Sequence, residues 1–190
     1  MTTATDVAMP LGRDVVVEGE AAPGPRAAAG EAGEAAAPGA AGTLVVGYGS
    51  LLRGDDGVGP RAAALLMDDP RLRGATVLLR HQLTPDLSAD VSEARLVVLI
   101  DARADDDPGD IRVRRLDEAA AADPVSSHHV EPADLVGLAF ELWGSAPPVY
   151  AVTVGAHCMD FAQDLSPAVE QALPRVIDAV AALVADHADA

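Results

Sequence analysis

Thr43-Leu-Val-Val-Gly-Tyr-Gly-Ser-Leu-Leu-Arg-Gly-Asp-Asp-Gly-Val-Gly-Pro60 sets the architecture of this chain. Thr43 to Val46 has the composition of a buried strand. Gly47 and Gly49 allow a tight exit from it, and Gly54, Gly57 and Gly59 keep the following loop thin. Pro60 suits the first position of a helix running to Met67. The opening half resembles a dinucleotide-binding turn, but the third glycine of that fingerprint is missing after Leu51-Leu52. Asp55 and Asp56 also put negative charge where a phosphate needs donors.

Working outward, strands and helices alternate. Ala75–Leu79 is predicted as a second strand, and Leu87–Glu93 as a short helix. Arg95–Ile100 is a strand apolar on both faces, ending at Asp101. Asp110–Arg114 alternates polar and apolar residues, as an edge or half-exposed strand does. A helix is predicted over Pro132–Trp143 and a central strand over Val149–Val154. The last helix opens with Ser166 as N-cap and Pro167 at its first position. Its apolar stripe is Val169, Leu173, Val176, Ile177, Val180 and Leu183. This order predicts a three-layer α/β/α sandwich with a mostly parallel central sheet. Residues 42–190 form its single domain. Residues 1–41, rich in Ala, Gly, Pro and Glu, read as a flexible leader with little to bury; Val15–Val17 is the one stretch in it able to join a sheet edge.

Composition narrows the function. The net charge is −17 over 190 residues, and all 13 basic residues are arginine. Such a balance disfavours nucleic acid and anionic membrane surfaces as partners and favours a basic or metal-bearing one. A single cysteine, Cys158, rules out an intrachain disulfide and fits a cytoplasmic setting. No basic region precedes an apolar core at the start, and no apolar run reaches membrane-spanning length.

Ligands of open α/β sheets bind at the carboxyl ends of the strands. Three polar signals fall there: Asp55-Asp56 after the first strand, Asp101 after the third, and His128-His129 ahead of a helix, with Ser126 and Ser127 as competing caps. Two carboxylates and an imidazole from separate loops can hold a divalent metal. They can equally act as general acid and base, and spacing does not distinguish the two. A zinc finger, a zincin and a G-x-S-x-G serine hydrolase are excluded by the motifs present. Cys158 beside His157 reads as a buried or incidental cysteine, since adjacent loop residues rarely aim at each other.

Four ordered blocks resemble the nickel–iron hydrogenase maturation endopeptidases. They are Val46-Gly-Tyr-Gly-Ser-Leu-Leu-Arg-Gly-Asp-Asp-Gly-Val-Gly59, Val98-Leu-Ile-Asp-Ala102, Ser127-His128 ahead of Ala133-Asp-Leu135, and Leu165-Ser-Pro-Ala-Val169. Two departures stand out. Ser50 replaces the usual Asn, and Arg80-His-Gln-Leu-Thr-Pro85 replaces a glycine-rich segment; that block resembles the branch serving soluble, bidirectional hydrogenases. The resemblance implies a peptidase that removes the C-terminal extension of a nickel-loaded large-subunit precursor. It implies Asp56, Asp101 and His128 as the metal-contacting and catalytic residues, with Asp55 as loop support. Nickel would come with the substrate, no organic cofactor is expected, and the protein would act as a cytoplasmic monomer. The alternatives are a non-catalytic nucleotide- or metal-binding α/β protein, or a chaperone of hydrogenase assembly.

Overall fold

The structure, a computed structural model, describes residues 15–18, 42–104, 107–116, 130–144 and 146–187. The elements in chain order are β1 (Val15–Glu18), β2 (Thr43–Tyr48), α1 (Val58–Met67), β3 (Thr76–Arg80), α2 (Leu87–Glu93), β4 (Leu96–Ala104), β5 (Ile111–Leu116), α3 (Pro132–Trp143), β6 (Val149–Ala156) and α4 (Pro167–Asp186). The strands form one sheet of order β1-β5-β6-β4-β2-β3. Strands β2, β3, β4 and β6 are mutually parallel, and β5 runs antiparallel to β6. The predicted mostly parallel sheet is therefore present. Four residues of the stretch read as a leader, Val15–Glu18, pair parallel with β5 at the sheet edge.

Two apolar layers cover the two faces. Val45, Val98, Ile100 and Val152 pack with Val58, Ala62 and Leu66 of α1 and with Val169, Val176 and Val180 of α4. On the other face, Leu44, Val46, Val97, Leu99 and Ala151 pack with Leu87 and Val91 of α2 and with Leu135, Val136 and Ala139 of α3. Central strands buried on both sides carry unbroken apolar runs for this reason. The three-layer sandwich is the predicted one.

The differences from the sequence reading lie at element ends. Helix α1 begins at Val58, because a 3-10 turn over Gly54–Gly57 winds directly into it. Pro60 thus stands third in the helix, still inside the first turn, where no backbone N–H is missed. Strand β4 does not stop before Asp101. Its ladder with β2 ends at Gly47–Ile100, but its ladder with β6 continues through Asp101–Thr153 to Ala104–Ala156. The N-cap of α3 is Glu131, whose backbone N–H donates to the Asp134 carboxylate at 3.1 Å. Gly47 matters for packing more than for turning: a Cβ there would meet the Gly59 carbonyl oxygen at 2.1 Å, so α1 can lie close over β2 only with glycine at this crossing. Among the described residues, no helix is long and apolar enough to cross a membrane.

Candidate active site

Asp56 and Asp101 meet in one cleft at the carboxyl ends of β2 and β4. The cleft measures about 250 Å³, and Tyr48, Gly49, Arg53, His81, Gln82, Leu83, Val130, Glu131 and Pro132 complete its wall. Asp56 arrives from the 3-10 turn. Its carboxylate accepts the Ser50 backbone N–H at 2.9 Å. Gly49 has a φ of +131°, and a Cβ there would lie 2.0 Å from the Asp56 carbonyl oxygen. This loop therefore closes on Asp56 only with glycine at that position. Ser50, which departs from the resembled pattern, is buried, and its Oγ accepts the Leu52 N–H at 3.4 Å.

Asp55, next in the chain, points the other way. It is fully buried. Its carboxylate accepts the backbone N–H groups of His157 at 2.8 Å and Cys158 at 3.0 Å. It also accepts the Ser166 N–H at 2.6 Å and the Ser166 hydroxyl at 2.9 Å. Burial works to raise its pKa, but the bonds from Ser166, Cys158 and His157 outweigh burial and hold it below the usual carboxylate value. The predicted loop-support role for Asp55 matches this geometry. Ser166 is the N-cap of α4 by position, but no side-chain capping bond forms, because its hydroxyl serves Asp55 instead.

Asp101 lies within β4, largely buried. The Ala102 N–H donates to its Oδ1 at 2.7 Å, and the Tyr48 hydroxyl also donates to it. Burial pushes its pKa from 3.8 to about 6; these two hydrogen bonds oppose that rise, and the nearby charges of Asp56 and Glu131 add to it. The Tyr48 hydroxyl is held protonated, by burial first and then by the Asp101 charge.

The structure brings together two of the three residues singled out as ligands. The third, His128, lies outside the described residues, as do His129, Ser126 and Ser127. The described chain resumes at Val130, in the cleft wall. Among the described residues, no group of three His, Cys, Asp or Glu is placed to hold a metal. Cys158 sits on the β6–α4 connection with its Sγ 3.6 Å from Asp160 Oδ2. The wall also contains Tyr48 and Glu131, which the motif reading did not select, and His81 of the block that departs from the resembled pattern. Tyr48 was visible only as the variable residue between two glycines. A register argument finds it: Gly47 pairs with Ile100, so the next residues, Tyr48 and Asp101, are neighbours on one face.

No protein-family model matches the chain, and no curated protein matches it. Solved structures do. The hydrogenase maturating endopeptidase HybD from E. coli is 22% identical, over 76% of this chain and 92% of that one, with a TM-score of 0.63. The [NiFe] hydrogenase maturation protease HybD from Thermococcus kodakarensis is 23% identical, over 75% and 98%, with a TM-score of 0.58. The hydrogenase 2 maturation peptidase from Thaumarchaeota archaeon SCGC_AB-539-E09 is 24% identical, over 75% and 97%, with a TM-score of 0.56. Across most of its length, the chain has the fold of the hydrogenase maturation endopeptidases.

Proposed function

We propose that this protein is a hydrogenase maturation endopeptidase. It hydrolyses one peptide bond and so removes the C-terminal extension of a nickel-loaded large-subunit precursor. The observation that carries this reading is the convergence of Asp56 and Asp101 in one cleft at the strand ends of this fold. The cleft suits a cation that arrives with the substrate. Two carboxylates supply hard oxygen donors, and a positive charge between them would offset the burial and like-charge repulsion that lift Asp101. His128, two residues before the cleft-lining Val130, is the third contact by the family resemblance. When bound, the metal supplies Lewis-acid polarisation of the scissile carbonyl or activation of a water.

The chain's own residues then have distinct tasks. Asp56 and Asp101 orient the loaded centre, which lets the enzyme sense that loading is complete. In the cleft without a cation, burial raises the Asp101 pKa to about 6; a bound cation would lower it and keep Asp101 an ionised oxygen donor. Tyr48 fixes the orientation of that carboxylate. His81 and Gln82 border the cleft, which supports a part for this block in choosing the substrate. The reaction takes place in the cytoplasm on a monomer, without an organic cofactor.

The test incubates the purified protein with nickel-loaded and nickel-free precursor and follows the precursor mass. Loss of the extension from the loaded form alone is expected. Unchanged mass in both would refute the peptidase; stable binding with unchanged mass would point to an assembly chaperone.

A further inference from the structure

Asp101 borders two clefts. Beyond the acidic one, a second cleft of about 430 Å³ opens over the other half of the sheet, and Tyr48, Asp101, Glu131 and Pro132 line both. The walls that the second cleft does not share with the first are basic. Arg112 and Arg114 of β5 and Arg103 of β4 line it, together with Ala151 and Thr153 of β6. Three of the chain's 13 arginines thus meet in one place on a protein of net charge −17.

The register explains the grouping. Asp101 pairs with Thr153, and Thr153 pairs with Arg112, so these three stand on one rung across β4, β6 and β5. The rung below is Leu99, Ala151 and Arg114. Paired residues point to the same face of a sheet. The Asp101 carboxylate and the Arg112 guanidinium therefore rise from the same face, two strand spacings or about 9.5 Å apart at the backbone. Arg112 Nε is held at 3.1 Å by Asp110 Oδ2, which also binds Arg103 at 2.6 Å, so the basic wall is braced. Arg112 and Arg114 remain exposed.

We propose that this basic cleft is a subsite for a carboxylate of the bound peptide. An extended chain rises about 3.3 Å per residue, so the carboxylate sits about three residues from the bond held at Asp101. The inference rests on the peptidase reading for the identity of that peptide: it is the segment released from the precursor. Guanidinium groups pair with carboxylates through paired, charge-assisted hydrogen bonds. The acidic cleft would repel the same group, so the two clefts together fix the direction in which the peptide lies. The carboxylate is either an acidic side chain of the extension or its free C-terminus.

Fluorescence polarisation with the full-length protein tests this. The probe is a labelled peptide copying the extension of the large-subunit precursor. It is made in three forms: unmodified, amidated at the C-terminus, and with acidic side chains replaced by their amides. Arg112→Gln/Arg114→Gln is expected to bind the unmodified peptide about tenfold more weakly, the usual scale for losing a charged hydrogen bond. The modification that alone weakens wild-type binding identifies which carboxylate is recognised. Arg114→Gln, which leaves the Asp110 pair in place, should show part of the loss, and Arg112→Lys/Arg114→Lys should restore most of it. Equal affinity of wild type and double Gln variant for the unmodified peptide overturns the subsite, as does absence of wild-type binding to every form. Precursor mass is followed in parallel. A precursor left intact while the peptide still discriminates the variants sinks the peptidase and spares the subsite. A precursor shortened normally by the double variant, with all peptide forms bound alike, does the reverse.

Discussion

The Asp55 carboxylate receives both the backbone N–H and the hydroxyl of Ser166, 111 residues away in sequence, at 2.6 and 2.9 Å. Together with the His157 and Cys158 N–H groups, this ties the acidic turn to the start of α4. Asp55→Ala would leave four donors without their acceptor around a fully buried position. A loss of about 3 kcal/mol or more follows, or roughly 10 °C in melting temperature. Ser166→Ala removes one of the four bonds and should cost about 1 kcal/mol. Calorimetry on both variants decides; a melting point for Asp55→Ala within a degree or two of wild type would contradict the anchoring role.

Asp101 and Asp55 act on stability in opposite pH windows. The folded pKa of Asp101 is raised from 3.8 to about 6. Its contribution is therefore full below pH 4 and is lost as pH rises through 6. The folded pKa of Asp55 is lowered, so its contribution is present above the ordinary carboxylate value and lost as pH falls through its folded pKa. Urea midpoints measured from pH 3 to 8 on metal-free protein should show Asp101→Asn relieving the decline between about pH 4 and 6. Identical slopes for variant and wild type across that window would show that burial does not shift Asp101.

Tyr48→Phe deletes the hydroxyl that donates to Asp101 and keeps the ring that packs on the α2–α3 side of the sheet. Since that bond lowers the Asp101 pKa, its removal should move the value above that of the wild type. Carboxyl-carbon NMR titration measures this directly. Precursor processing should fall about tenfold, with the change in rate rather than in binding. A titration unaltered by the substitution would place Tyr48 outside the site's chemistry.

Gly49→Ala attacks Asp56 without touching its side chain. The φ of +131° is unfavourable for alanine, and the new methyl would collide with the Asp56 carbonyl oxygen. The loop must shift, at a cost of about 1–3 kcal/mol. A loss of processing larger than that of a surface substitution is expected, with the sheet and both apolar layers retained. Far-ultraviolet circular dichroism and the precursor assay together check it; wild-type processing by Gly49→Ala would mean that Asp56 tolerates displacement.

The sequence by itself determined the layers and singled out Asp101 and the acidic pair Asp55-Asp56 as candidates. Apolar runs such as Leu96–Ile100, separated by amphipathic helices, admit few arrangements other than a covered parallel sheet, because each run must be buried on both faces. Asp101 was legible because charge at the end of such a run is costly without a purpose; Asp56 was legible only as half of the acidic pair Asp55-Asp56, from which the family resemblance selected it. Tertiary structure decided the rest. Only the register puts the Tyr48 hydroxyl beside Asp101 and Arg112 on its rung, since neither neighbour is near it in sequence. Only the approach of α4 to the acidic turn turns Asp55 inward while Asp56 faces the cleft. Adjacent acids of the same type carry no local mark that separates the anchored one from the one facing the cleft. That difference comes from long-range hydrogen bonds, which form only after the strands have set the distance between the loops.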